Sequence, residues 1–165
     1  MTDNSLEARI QRLEDLAALE KLMNRYHKTA DAFDWEAWAE SFTEDAEFQF
    51  AGDFGFPTMV GKRQIHDTCK GLMDHVYQDM MHYMVNLDFD LTGPDSATGT
   101  GNIVFVALTD ASKPDKFLMS GGRYRWEYRK TAQGWRIHRT VLHFLWNNGA
   151  DEEAVFANTD AEAAE

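Results

Sequence analysis

One histidine, His82, lies in the apolar run Met80-Met81-His82-Tyr83-Met84-Val85-Asn86. Imidazole titrates near neutral pH, so a histidine in a dry setting can take or give a proton if a partner fixes its tautomer. Asp31 is a candidate partner. It falls at the C-terminal end of a helical pattern in Thr29-Ala30-Asp31-Ala32-Phe33, where a carboxylate opposes the helix dipole unless a donor or cation meets it. Asp34 competes with it for the role, but Asp34 is also placed as the N-cap of a following helix. Tyr26, five residues before Asp31 on the same helix, would keep its phenolic proton in an apolar pocket and donate to an oxygen. Two readings of His82 stay open on these residues alone, a packed core histidine or one half of an acid–base dyad.

The other histidines are weaker candidates. His75, Asp79 and His82 have a superficial metal-ligand spacing, but a helix-to-strand change between them works against convergence, so no metal is expected. His143 is preferred over His138 as a pocket residue because Phe144, Leu145 and Trp146 continue its apolar segment. His27 and His66 are expected at the surface. Phosphate-loop, dinucleotide, serine-nucleophile and zinc-protease patterns are missing, and Gly99-Thr100-Gly101 lacks the third glycine and the helix of a nucleotide fingerprint.

The elements that must position these residues follow from periodicity. Apolar residues three or four apart from Leu6 to Ala30 predict a helix over 5–32 with Ser5 as N-cap. A shorter helix is predicted from Asp34 to about Thr43, a short strand over 46–50, and a third helix over 61–79. Four strands follow, over 82–91, 97–109, 116–130 and 134–146, separated by turn-rich segments. Alternation puts His82, Met84 and Asn86 on one face of the first of these. Helices followed by a run of antiparallel strands make an α+β domain, with the helices on one face of the sheet.

Composition bounds the rest. The chain has 165 residues, 44% of them hydrophobic, enough for one domain over 1–149. The 28 acidic residues outnumber the 16 basic ones for a net charge of −12, which argues against nucleic acid or anionic membrane as partners. The lone Cys69 can form no intramolecular disulfide, so a reducing cytoplasm fits. The first residues lack the pattern of a secretory signal. Residues 150–165 carry six acids and no base, the composition of a solvated tail.

The segment from Leu22 to Phe50, with Tyr26, Asp31, Asp34 and Phe42-Thr43-Glu44-Asp45-Ala46-Glu47-Phe48, followed by His82-Tyr83-x-x-Asn86, resembles the SnoaL-like branch of the nuclear transport factor 2 (NTF2-like) superfamily. The likeness extends over about Leu6 to Asn147. It implies a cone-shaped α+β barrel, three helices around a strongly curved antiparallel sheet, with a hydrophobic pocket at the open end. Members of similar pattern include scytalone dehydratase, hexachlorocyclohexane dehydrochlorinase and bile acid 7α-dehydratase, lyases built on an aspartate–histidine dyad. By position that dyad falls on Asp31 and His82, and Tyr26 matches the active-site tyrosine of the bile acid enzyme. The dehydrochlorinase has lysine at the Tyr26 position and arginine at the His143 position, so chloride expulsion is poorly supported.

The resulting expectation is a cofactor-independent lyase on a small, hydrophobic, aromatic or polycyclic substrate. Its His82 is the base, Asp31 its orienting carboxylate, and Tyr26 the donor to oxygen. Loss of water by β-elimination comes first, and retro-aldol C–C cleavage, such as formaldehyde release from a phenylpropanoid, second. An isomerase, a polyketide-type cyclase or a ligand-binding cup are the alternatives. Phe42, Phe50, Phe54, Phe56, Met84, Asn86, Phe105, His143 and Trp146 are the candidate pocket residues, and the resemblance implies a homo-oligomer, with a trimer favoured.

Overall fold

In the computed structural model, which describes residues 5–51 and 57–148, Ser5 caps α1 (Leu6–Asp31) by accepting the Ala8 N–H at 3.2 Å. The apolar spacing runs the length of this helix, yet its buried face begins only at Asp15 and continues through Leu19, Leu22, Met23, Tyr26 and Ala30. Leu6, Ile10 and Leu13 stay exposed. Phe33 then takes φ 56°, the left-handed conformation that turns the chain, and Asp34 caps α2 (Trp35–Ala39) by accepting the Ala37 N–H.

The helix expected to run to Thr43 stops at Ala39, and Phe42 instead opens β1 (Phe42–Ala51). The reason is tertiary. Ile137 donates its N–H to the Ser41 carbonyl at 2.8 Å, so pairing with a distant strand overrides the helical spacing of Trp35, Trp38 and Phe42. A two-residue strand, β2 (Met59–Val60), too short to show alternation, pairs with β1. Next comes α3 (Lys62–Asp74), which ends before Asp79 because the Val76 and Tyr77 N–H groups turn back to the Met73 carbonyl.

The four predicted strands are present as β3 (Asp79–Leu91), β4 (Ser96–Leu108), β5 (Leu118–Thr131) and β6 (Gly134–Asn147). The sheet order is β2-β1-β6-β5-β4-β3, which leaves β3 at one edge. Every pairing is antiparallel except β1 with β6, so the sheet is mixed rather than antiparallel throughout. It is strongly curved and open, not closed into a barrel. The class is α+β, as expected.

Irregular registers shape the cup. Asn86, at φ 56°, sits in a bulge between Val85 and Asp88, which switches the inward parity of β3 from His82 and Met84 to Leu87 and Phe89. A second register shift separates Gly121 from Gly122 against β6. Gly101 permits a close approach, since a Cβ there would fall 2.9 Å from a Leu87 methyl, which would have to shift. The core fills the concave side, where β5 contributes Tyr124, Trp126 and Tyr128 and α1 contributes Leu19 and Met23.

Candidate active site

Asp31 ends α1 beside the edge strand β3, and its carboxylate meets His82 through three contacts. One oxygen lies 2.5 Å from the imidazole Nδ1, and the His82 backbone N–H lies 3.1 and 3.2 Å from the two oxygens. An ionised carboxylate only accepts, so the Nδ1 proton points to Asp31 and Nε2 keeps its lone pair. The donor that a carboxylate at a helix C-terminus requires is thus the backbone and ring of His82. The two side chains remain only partly exposed, 11% for His82 and 27% for Asp31. His82 packs on Phe105 with ring centroids 4.8 Å apart.

His82 lines a cavity of about 330 Å³ between the helices and the concave face of the sheet. Its walls are aromatic: Trp35 and Trp38 from α2, Phe48 and Phe50 from β1, Tyr77 and Phe105 near the dyad, Phe144 and Trp146 from β6. Among the described residues, no Lys, Arg, Asp or Glu side chain lines it. The polar side chains among them include His82, Tyr26, Tyr77, Tyr124, Ser120 and Asn147, with the Cys69 thiol. Burial pushes the Tyr26 phenol well above its ordinary range, reinforced by Tyr124 and Cys69 beside it, and burial likewise raises Tyr124. Burial pushes the Cys69 thiol up to about 12. All three stay protonated at neutral pH.

His27, expected at the surface, is buried one helical turn before Asp31 and lies with its ring 5.8 Å from that of His82. Its Nδ1–H donates to the Met23 carbonyl at 2.8 Å, and its Nε2 has no hydrogen-bond partner. Burial first, and then His82 beside it, lowers its pKa to about 3 against the opposing pull of the Met23 carbonyl and Asp31. His27 is therefore neutral. His66 is also partly buried, between Glu36 and Asp67.

Of the candidate pocket residues, Tyr26, His82, Phe50, Phe105 and Trp146 line the cavity, with Asp31 behind His82. Four do not. Phe42 is locked in the core against Tyr26 and Trp38, and Met84 packs under Gly101. Asn86 is exposed in its bulge, and His143 is exposed because Leu142 and Phe144 on either side take the inward positions of β6. Phe54 and Phe56 lie outside the described residues, as does the acidic tail. Tyr124, Ser120, Tyr77, Trp35 and Trp38 were not singled out in the sequence. Period-two alternation through Tyr124, Trp126 and Tyr128 marks the inward face of β5 and was the available signal for Tyr124. Among the described residues, no three His, Cys, Asp or Glu side chains gather as a metal-holding group, and no helix is long and apolar enough to cross a membrane.

A cupped sheet of this order, with helices closing an apolar cavity over an imidazole and a carboxylate, defines an NTF2-like α+β fold. Residues 11–141 match the SnoaL-like domain, and the chain belongs to that family. A scytalone dehydratase-like protein from Novosphingobium aromaticivorans shares 20% identity with a TM-score of 0.77, over 88% of this chain and 94% of its own. An NTF2-like protein with a cystatin-like fold from the same organism shares 26% identity with a TM-score of 0.70, over 90% of this chain and 94% of its own. The hexachlorocyclohexane dehydrochlorinase LinA-type3 from Novosphingobium barchaimii shares 18% identity with a TM-score of 0.74, over 87% and 95%. No curated protein matches the chain in sequence. Proteins of this fold thus include ones described as a scytalone dehydratase and a dehydrochlorinase.

Proposed function

We propose that this protein is a cofactor-independent lyase acting on a small, uncharged, aromatic substrate by acid–base chemistry at His82 and Asp31. The observation that carries the reading is the Nδ1 contact with Asp31 at 2.5 Å, which leaves Nε2 as the basic atom of a cavity walled mostly by aromatic and aliphatic side chains. In a dehydration, Nε2 takes the proton from the carbon next to a carbonyl and the electron pair moves into an enolate. The β C–O bond then breaks, and the departing hydroxide takes the proton back from His82 as water. In a retro-aldol cleavage, Nε2 takes the hydroxyl proton, the C–C bond breaks to release an aldehyde, and the proton returns to the carbanion carbon. Asp31 offsets the transient imidazolium, and the Tyr26 side of the cavity supports the oxygen that gains charge.

General acid–base help of this kind is worth about 10²–10⁴-fold, the remainder coming from orientation in a dry cavity. The absence of a cationic side chain among the described lining residues argues for a neutral substrate, because a carboxylate would be buried there without a partner. The test is incubation with aromatic β-hydroxy ketones and hydroxylated phenylpropanoids, reading release of water or formaldehyde by mass spectrometry. Turnover that vanishes in His82→Ala and Asp31→Asn supports the reading. Turnover unchanged in both variants overturns it.

A further inference from the structure

Register across the sheet puts three polar side chains of the cavity on one row. His82 of β3 pairs with Phe105 of β4, Phe105 with Ser120 of β5, and Ser120 with Asn147 of β6, and all four line the cavity. The inward rows on either side are apolar throughout, Met80, Ala107 and Leu118 on one and Met84, Ile103, Gly122 and Phe144 on the other. A ligand lying across the strands along the middle row meets the base at one end, then the Phe105 ring, then a hydroxyl. Two strand steps separate the backbones of His82 and Ser120 by roughly 10 Å, and the concave curvature brings their side chains closer than that. Such a gap suits a single aromatic ring with a hydrogen-bonding group on each side.

Ser120 is 6% exposed, and among the described residues its hydroxyl has no hydrogen-bond partner. Its Oγ is not sealed in the core as those of Ser41 and Thr140 are, and it opens on the cavity. A hydroxyl withdrawn from bulk water without a partner costs stability that an alanine methyl in the same place would not. A ligand oxygen would satisfy it, since a serine hydroxyl both donates and accepts.

The other polar side chains of the cavity stand elsewhere. Tyr77 precedes β3 and packs on Phe105 at 5.3 Å, so it lies on the side of the base. Asn147 is exposed at the rim and already engaged. Tyr124 is four residues along β5 from Ser120, about 13 Å away, and serves a different end of the cavity with Tyr26.

We propose that Ser120 is a specificity-determining residue that binds a second oxygen of the substrate, a neutral hydroxyl carried on the aromatic ring across from the reacting group. The protein then selects ring-hydroxylated substrates over those with an apolar group at that position. The proposal rests on the reading of the cavity as a site for a neutral aromatic substrate and adds the substitution pattern; it does not depend on which bond breaks.

The test compares three neutral probes by calorimetry: acetophenone, 4′-hydroxyacetophenone and 4′-methylacetophenone, the last two filling nearly the same space. The wild-type protein is expected to bind the hydroxyl probe about 2- to 10-fold more tightly than the methyl probe, the worth of one neutral hydrogen bond. Ser120→Ala reverses that order, because the probe hydroxyl then loses water without gaining a partner, and leaves acetophenone binding unchanged. A wild-type preference for the methyl probe overturns the proposal without recourse to any variant. So does a hydroxyl preference that survives Ser120→Ala, or one that is lost in Tyr77→Phe or Asn147→Ala but kept in Ser120→Ala. His82→Ala separates this proposal from the lyase reading, since it removes the base and keeps the order of the probes. A failed turnover screen with the hydroxyl preference intact therefore sinks only the lyase reading, and turnover with a methyl preference sinks only the role of Ser120.

Discussion

Asp31 binds His82 twice over, once at the ring and once at the backbone amide of the same residue. The ring contact fixes the tautomer, and the amide contact fixes where along β3 the ring stands. A carboxylate that held the ring alone would let it slide with the strand. Here helix and strand are pinned at the atom pair on which the proposed chemistry depends.

That double contact predicts unequal effects from two replacements. His82→Ala removes the base and is expected to lower kcat by about 10²–10⁴. Asp31→Asn keeps the shape, yet it removes the negative charge and puts an NH2 donor where one of the two accepting oxygens stood, so turnover should fall by a similar order with a smaller change in KM. Steady-state kinetics on a substrate found by the release assay, with thermal melting as the fold control, checks both.

His27 sets an acid limit on stability. Its folded-state pKa, lowered to about 3 chiefly by burial, lies below the ordinary value of 6.5. Above 6.5 both folded and unfolded chains hold it neutral, so it makes no pH-dependent contribution. Between 6.5 and 3 the unfolded chain binds the proton and the folded chain does not, so stability falls as pH drops, by up to about 1.4 kcal/mol per unit from this group. Urea titrations at intervals across that window should show a shallower acid slope in His27→Gln than in the wild type. Identical slopes would contradict the assignment.

Asn86 is expected to be structural. At φ 56° it tolerates glycine, so Asn86→Gly should leave stability and turnover nearly unchanged. Asn86→Val should cost about 1–2 kcal/mol, the order of the left-handed penalty for a side chain with a Cβ. Denaturant melts with turnover measured alongside would reveal a site role for Asn86 if glycine abolished activity without loss of stability.

Gly121 supports the mouth of the cavity. A Cβ there would come within 2.5 Å of the Trp146 ring, and Trp146 lines the cavity. Gly121→Ala should therefore displace the indole, alter tryptophan emission and weaken binding of neutral aromatic probes. Because Trp146 is nearly half exposed, the melting temperature should move little. A changed melting temperature with unchanged probe binding would go against this account.

How much of this was legible in the sequence differs by element. The long strands and α1 announce themselves because their burial pattern repeats over many residues, and Asp31 stood out because a carboxylate at a helix end wants a donor. Phe42 misled because its helical spacing to Trp38 is a local signal, whereas the capture of Ser41 and Phe42 by β6 is made across the fold. Asn86 misled for a related reason, since alternation counts residues and one bulge moves every later side chain to the other face. His27 reads as polar on a helix, and only the arrival of β3 beside Asp31 shows that its face is the covered one. That Tyr26 and Tyr124 line one cavity was hidden because the two are far apart in the chain and on different element types.

Among the described residues β3 ends the sheet, so amide groups on its outer side have no neighbouring strand there. The His82 amide is one of them, and Asp31 occupies it. Met81, Tyr83 and Val85 stand exposed on either side along the same strand, an apolar stretch that would suit an intruding chain. The carboxylate that aims the imidazole also blunts a sticky border, so Asp31→Ala should yield a protein prone to aggregate through that border as well as an idle one.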